Sequence, residues 1–252
     1  MDLGLQDRCY ITTGASRGLG FATAQALVTD GARVVLSARD SGGVDAAVTE
    51  LGPAHAVGIA GDLADPALPE ALCLAALDHA GRLDGALISV GGPPPGGVLD
   101  VTDTQWRDAF DAIFLGALRL ARTVAAALTD GGSIAFVLSS SVRSPIGKLA
   151  VSTGLRPGLA MVAKTLADEI GPRGIRVNAL LPGRIATART MSLDEASGDA
   201  AAARAAHEAG IPLRRYGEPA EFGRAAAFVL SPAASYITGT TITVDGGALR
   251  AL

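Results

Sequence analysis

A chain of 252 residues with 49% hydrophobic and only 18% charged residues carries enough apolar material for a large core and too little charge for disorder. Its formal net charge of −4 gives no general attraction for nucleic acid or an anionic lipid surface. Gly, Pro or charge breaks every apolar run well before the roughly 18 residues that a membrane span needs.

Strand-like and helical patterns alternate along the sequence. Strands are expected at Cys9–Thr13, Arg33–Ala38, Ala56–Ala60, 86–89, 133–138, 175–180 and Thr241–Val244. Most are short and continuously apolar, as strands of a sheet buried on both faces are. Helices are expected at 19–29, 66–79, 104–128, 155–170 and Pro219–Leu230. In 155–170, Leu155, Leu159, Val162, Leu166 and Ile170 share one face. This βαβ alternation predicts an α/β fold: a doubly wound, seven-stranded parallel sheet (a Rossmann fold) in a single domain over 1–252. The least regular stretch, 182–212, follows a strand's carboxyl end, where such sheets bind ligands. It reads as a substrate lid or as a surface helical hairpin, its position favouring the lid.

The first strand runs into Gly14-x-x-x-Gly18-x-Gly20 and then a helix. Glycine permits a tight turn and a close approach of backbone to a pyrophosphate, whose charge is met by the N–H groups of the helix N-terminus. The turn Thr13-Gly14-Ala15-Ser16-Arg17-Gly18-Leu19-Gly20 is therefore a candidate dinucleotide cradle, with Gly14, Ser16, Arg17, Gly18, Leu19 and Gly20 as cofactor-binding residues. An acid at the end of the second strand would bind the 2′-hydroxyl of NAD. That strand instead ends Leu36-Ser37-Ala38-Arg39, with no acid before Asp40. Arg17 and Arg39 are placed for a 2′-phosphate, so NADP(H) is preferred, with NAD(H) the alternative. Asp62, just past the third strand, is a candidate acceptor for the adenine amino group.

The sequence resembles the short-chain dehydrogenase/reductases along its whole length. Beyond the TGxxxGxG turn, the resemblance is carried by Asp62-Leu63, by Asn178-Ala179-Leu180-Leu181-Pro182-Gly183 followed by Thr187, and by Tyr236-Ile237-Thr238-Gly239 and Val244-Asp245-Gly246-Gly247. It implies that Leu63, Pro182, Gly183 and Thr187 also contact the cofactor. It implies the same for Ser89 and Gly91, in Ile88-Ser89-Val90-Gly91, where the family has Asn-Asn-Ala-Gly. The family's catalytic Tyr-x-x-x-Lys aligns with Ser152 and Arg156, and its catalytic serine, thirteen residues earlier, with Ser139. The family's fourth catalytic position, an Asn, aligns with Ile113. Ser152-x-x-x-Arg156, with Gly92-Pro93-Pro94-Pro95-Gly96, resembles a divergent branch often labelled 3-oxoacyl-carrier-protein reductase. That branch carries Ser-Asn-x-x-Arg, and Thr153 here replaces the Asn. Lys148 reads as a solvated loop lysine or as one turned inward.

The resemblance implies an oxidoreductase acting on a carbonyl or alcohol, with Ser139, Ser152 and Arg156 as its catalytic residues. The alternative is a catalytically inactive sensor or partner subunit that binds the nucleotide alone. A non-redox enzyme like the halohydrin dehalogenases, which use Ser-Tyr-Arg, is a third reading. The partner is a small-molecule substrate, with neither nucleic acid nor membrane expected. The resemblance also implies a homo-oligomer, a tetramer or dimer formed through the long helices and the C-terminal strand. Cys9 and Cys73 read as buried thiols, and the first residues lack a basic-then-apolar leader, so a cytoplasmic location is expected. The scattered Cys and His residues give no metal site.

Overall fold

A computed structural model describes residues 1–129 and 131–251. Seven parallel strands are joined by helical crossovers in the order β1 (Cys9–Thr13), α1 (Gly18–Thr29), β2 (Arg33–Ala38), α2 (Ser41–Leu51), β3 (Ala56–Ala60), α3 (Leu68–Ala80) and β4 (Gly85–Ser89). Then follow α4 (Asp103–Ala109), a π-helical segment (Phe110–Leu115), α5 (Gly116–Ala127), β5 (Ser133–Val137), α6 (Ala150–Ile170), β6 (Arg176–Pro182), α7 (Ala188–Glu195), α8 (Ala200–Gly210), α9 (Pro219–Leu230) and β7 (Thr241–Val244). The strands lie in the order β3-β2-β1-β4-β5-β6-β7. The chain thus reverses its winding between β1 and β4, and a crevice opens beyond their carboxyl ends. Thr13 fastens the two strands there. Its Oγ1 donates to the Ser89 carbonyl at 2.8 Å and accepts from the Ser89 N–H at 2.9 Å.

Each face of the sheet has its own core. Ile11, Ile88, Ile134 and Val177 point to one side, where Leu72, Leu120 and Leu159 come down from α3, α5 and α6. Tyr10, Leu36, Leu87 and Leu180 point to the other, where they meet Leu27, Ala47 and Phe222 from α1, α2 and α9. The period-2 alternation of strand side chains is what feeds both layers. Each fully buried Leu or Ile contributes about 1.5–3 kcal/mol relative to exposure. α1 and α9 pack closely because Gly223 has no side chain: a Cβ there would lie 2.3 Å from the Ala22 carbonyl oxygen.

Strand ends fall within two residues of the sequence expectation, but the helices depart from it in three places. α2 is absent from the sequence reading because Ser41-Gly42-Gly43 opens it with poor helix formers. It forms because Asp40 caps it, accepting the Gly43 N–H at 3.1 Å, and because Val44, Ala47 and Leu51 are buried. The single helix expected at 104–128 is instead α4, a π segment and α5, the wide turns falling on Phe110–Leu115. α6 begins at Ala150, five residues before expected, and carries Pro157 inside it. The thiols behave as expected: Cys9 is pushed up to about 12 by burial and by Asp84, and Cys73 to about 11 by burial and by Glu70, so both stay protonated.

The segment 182–212 folds as the short α7–α8 hairpin. A buried polar knot holds it. Asp194 accepts from Arg184 Nη1 at 2.9 Å and from Tyr216 Oη at 3.0 Å, and Arg184 Nη2 meets His207 Nε2 at 2.7 Å. Arg204 of α8 lies over the Tyr216 ring, 4.8 Å from its centroid. Tyr216→Phe removes one charge-assisted bond to a buried carboxylate, a loss of about 1.5–3 kcal/mol. The expected result is faster proteolytic cleavage within the hairpin with only a small fall in global Tm. Cleavage at the wild-type rate contradicts a fastening role for the knot.

Candidate active site

The turn after β1 has the backbone that its glycines suggest. Gly14 and Gly18 adopt φ +58° and +63°, which L side chains rarely tolerate. A Cβ on Gly14 would lie 2.8 Å from the Ser89 carbonyl oxygen, and one on Gly20 only 2.5 Å from the Gly14 carbonyl oxygen. The Ala15 N–H donates to the Ser37 carbonyl at 3.0 Å, tying the turn to β2. Arg17, at the α1 N-cap, is extended, and its side chain caps nothing. The first N–H groups of α1 therefore have no side-chain partner, as an anion site at a helix N-terminus requires.

These residues line a cleft of about 790 Å³ at the β1/β4 switch point. Of the residues proposed from sequence, Gly14, Ser16, Arg17, Arg39, Asp62, Leu63, Ser89 and Gly91 are on its wall. Gly18, Leu19 and Gly20 belong to the turn but are not on that wall. The guanidinium of Arg39 reaches Gly91, whose Cβ position is 3.9 Å from Nη2. Neither Arg17 nor Arg39 pairs with a carboxylate among the described residues. Asp40 is occupied as the α2 cap, and Asp62 accepts the Ala64 N–H at 3.0 Å. Val90, Pro93, Pro94, Gln105, Asp108 and Ile113 are also on that wall. Gln105 and Asp108 of α4 escaped notice, because a hydrophobic pattern does not say which polar helix residues face a cleft, whereas Ile113 and the proline-rich loop were named from the sequence.

Pro182, Gly183 and Thr187 stand at the end of β6 and are not on that wall. Thr187 nonetheless approaches the turn: its Cγ2 is 3.7 Å from the Cβ position of Gly18. Its Oγ1 caps α7, accepting the Thr190 N–H at 3.3 Å. Gly183 is required for packing, since a Cβ there would meet the Asp245 Cβ at 2.5 Å.

Ser139 follows β5, and Ser152 and Arg156 lie in the first turns of α6; none of the three is on the wall of that cleft. Ser139 caps a short 3-10 turn, its Oγ accepting the Ser141 N–H at 3.1 Å. The hydroxyl that meets Ser152 Oγ belongs to Ser141, at 3.3 Å, and both serines are buried. Three consecutive serines hide this in sequence, where spacing alone selects Ser139. One helical turn after Ser152, Arg156 Nη1 donates to the carbonyls of Val137 at 2.9 Å and Leu138 at 3.1 Å. Burial and the nearby Arg189 charge push its pKa down to about 10, so at neutral pH it remains a cation. Arg189 was not singled out in the sequence. From the start of α7 it donates to the Pro93 carbonyl at 2.7 Å, across the mouth of the cleft. Among the described residues no group of Cys, His, Asp and Glu is placed to hold a metal ion.

Comparison with known proteins places this geometry. Residues 14–248 match the family model described as enoyl-(acyl carrier protein) reductase. An uncharacterized oxidoreductase of Mycobacterium tuberculosis is 36% identical over 251 residues, covering 96% of this chain and 92% of the relative. The 3-oxoacyl-[acyl-carrier-protein] reductase of Vibrio harveyi is 30% identical over 247 residues, covering 97% and 98%. L-sorbose reductase from Gluconobacter frateurii, solved complexed with NADPH and L-sorbose, superposes with a TM-score of 0.94 at 27% identity, each chain covered completely. The chain belongs to the short-chain dehydrogenase/reductase family.

Among the described residues of this short-chain dehydrogenase/reductase no tyrosine lies on the cleft wall. Tyr10 is buried beneath the sheet, Tyr216 is bonded to Asp194, and Tyr236 is fully exposed. Lys148 is exposed at φ +58°, its carbonyl accepting from the Gly96 N–H at 2.8 Å. That bond draws the proline-rich loop to the start of α6. No helix is long and apolar enough to cross a membrane among the described residues.

Proposed function

We propose that the protein is an NADP(H)-dependent oxidoreductase that acts on a carbonyl or alcohol through Ser152 and Arg156 in place of tyrosine and lysine. The observation that carries this reading is a glycine turn opening on a cleft with two arginines, Arg17 and Arg39, that have no carboxylate partner among the described residues. The free N-terminus of α1 fits a pyrophosphate, and Arg17 with Arg39 fits a 2′-phosphate. Asp62 and Leu63 would hold the adenine, Ser89 and Gly91 the middle of the cofactor, and Pro182, Gly183 and Thr187 its nicotinamide end. When bound, the nicotinamide supplies or accepts the hydride.

The chain's own residues have two further tasks. Arg156, cationic and buried, binds the cofactor ribose or the negative charge that develops on the substrate oxygen, with Ser139 as a second donor. Ser152 is a poor acid alone, so it relays a proton from water, steadied by the Ser141 hydroxyl. Losing a positioned general acid costs about 10²–10⁴-fold in rate, so slow turnover is the expectation. Activity needs the protonated guanidinium, so it is expected to fall as pH rises through about 10. The α7–α8 hairpin acts as the lid. A homo-oligomer formed through the long helices, a cytoplasmic location and a small-molecule substrate complete the reading.

Cofactor choice is tested by fluorescence titration of NADPH and NADH. Arg39→Asp is expected to weaken NADPH by about tenfold or more and NADH far less, the charge reversal acting on the phosphate alone. Equal weakening of both removes the basis for preferring NADP(H).

A further inference from the structure

Apolar burial does little to hold the α7–α8 hairpin down. No residue of α8 is buried, and the one buried residue of α7 is a carboxylate, Asp194. The polar knot at its base therefore does the fastening. Arg184, between β6 and α7, gives Nη1 to Asp194 of α7 at 2.9 Å and Nη2 to His207 Nε2 of α8 at 2.7 Å. One guanidinium thus ties both helices together. Its own backbone is fixed: the Gly217 N–H donates to the Arg184 carbonyl at 2.9 Å, and the Ala186 N–H to the Gly217 carbonyl at 2.8 Å. An element with few buried apolar contacts opens at a low free energy, so the loss of one such tie is felt locally.

The bond from Arg184 fixes the state of His207. A guanidinium has donors and no acceptor, so Nε2 must present its lone pair, and the neutral ring carries its proton on Nδ1. A proton on Nε2 would set donor against donor and place a second cation beside Arg184. The charges around the ring are few. Asp194 Oδ1, 3.9 Å from Nε2, opposes the repulsion but already accepts from Arg184. On α8 itself Arg204 and Glu208 pair with each other at 2.8 Å and bring no net charge. Tyr216, on the segment after α8, stays neutral, pushed up to about 12 by burial and by its bond to Asp194. Burial and the Arg184 charge hold His207 below the ordinary histidine value, against the pull of Asp194.

We propose that this knot is a pH-sensitive latch on the α7–α8 hairpin, closed while His207 is neutral and released when its ring takes a second proton. The latch stands on the hairpin's own contacts, whatever reaction the cleft supports. Its reach extends to the cleft, because α7 carries Arg189, bonded to Pro93 on the wall, and follows Thr187 beside the glycine turn. Linkage sets the direction. The released ring has the ordinary histidine pKa and the latched ring a lower one, so the latch is fully stable above the ordinary value. It weakens as pH falls through that value toward the lower one.

Hydrogen exchange read by mass spectrometry on the full chain tests this. The opening constant for amides in 188–210, corrected for the intrinsic exchange rate at each pH, is expected to rise by about threefold or more from about pH 8 to about pH 5. Peptides from β1 and β4 are expected to keep their protection. His207→Gln retains an acceptor that does not titrate, so its hairpin is expected to open equally at both values. His207→Lys, cationic throughout, is expected to open at both as the wild type does in acid. Imidazole ¹⁵N resonances of the wild type give a check that needs no folded variant beyond the one used for assignment. The signal absent from His207→Gln is expected to show its proton on Nδ1 at about pH 8. Opening that ignores pH, an equal rise in His207→Gln, full protection in His207→Lys, or a proton on Nε2 overturns the proposal.

Discussion

Gly20→Ala is expected to lower NADPH affinity by at least about 10²-fold and to destabilise the protein by about 1–3 kcal/mol, the usual cost of overpacking. The added methyl would lie 2.5 Å from the Gly14 carbonyl oxygen and 2.7 Å from that of Thr13. Both obstacles are backbone, so no side chain can swing aside. The start of α1 has to move off the end of β1, and the N–H groups aimed at the pyrophosphate move with it. Gly14→Ala provides a second route to the same result, because its φ of +58° and the Ser89 carbonyl at 2.8 Å oppose a Cβ at a more exposed point of the turn. Thermal unfolding separates folding from binding, and fluorescence titration reads the binding. Folded variants that bind NADPH like the wild type would show that the turn does not hold the cofactor.

Arg156→Met is expected to lower kcat/KM by about 10²–10³-fold, the usual cost of losing one preorganised donor to a developing oxyanion. Stability is expected to change little. The substitution gives up the bonds to Val137 and Leu138, but it also removes a buried charge that no carboxylate among the described residues offsets. Methionine fills most of the space, so little cavity cost is added. The pH dependence provides a second check. The folded-state pKa is depressed from the ordinary guanidinium value to about 10, by burial first and by Arg189 second. At neutral pH the unfolded chain therefore holds this proton more strongly, which costs folded stability. The wild type is expected to gain stability relative to Arg156→Met as pH rises through about 10 toward the unfolded value. Equal catalysis by the two proteins would contradict the assigned role.

Much of the architecture is legible in the chain because two-sided burial makes parallel strands short and wholly apolar. The glycine turn is legible for a different reason: Gly14, Gly18 and Gly20 occupy positions where a Cβ would strain or block the backbone. α2 is not legible. Its first turn is Ser41-Gly42-Gly43, and only the Asp40 cap and the burial of Val44, Ala47 and Leu51 make it a helix. Nor is the π segment, because Phe110–Leu115 preserves a roughly helical hydrophobic pattern while its hydrogen bonds widen. In the site, Ser152 and Arg156 can be found because four residues make one helical turn. Ser141 and Arg189 cannot. The first is picked from its neighbours by the backbone of a 3-10 turn, and the second meets Pro93 across 96 residues of sequence.

The most direct test of the account is the loss of NADPH absorbance when the cofactor-saturated protein is given a panel of aldehydes, ketones and short oxo acids. The account predicts slow oxidation of NADPH by at least one member of the panel, with Arg156→Met slower by about 10²-fold or more. NADPH bound tightly yet oxidised by no member of the panel would contradict it and leave a protein that binds the nucleotide without using it.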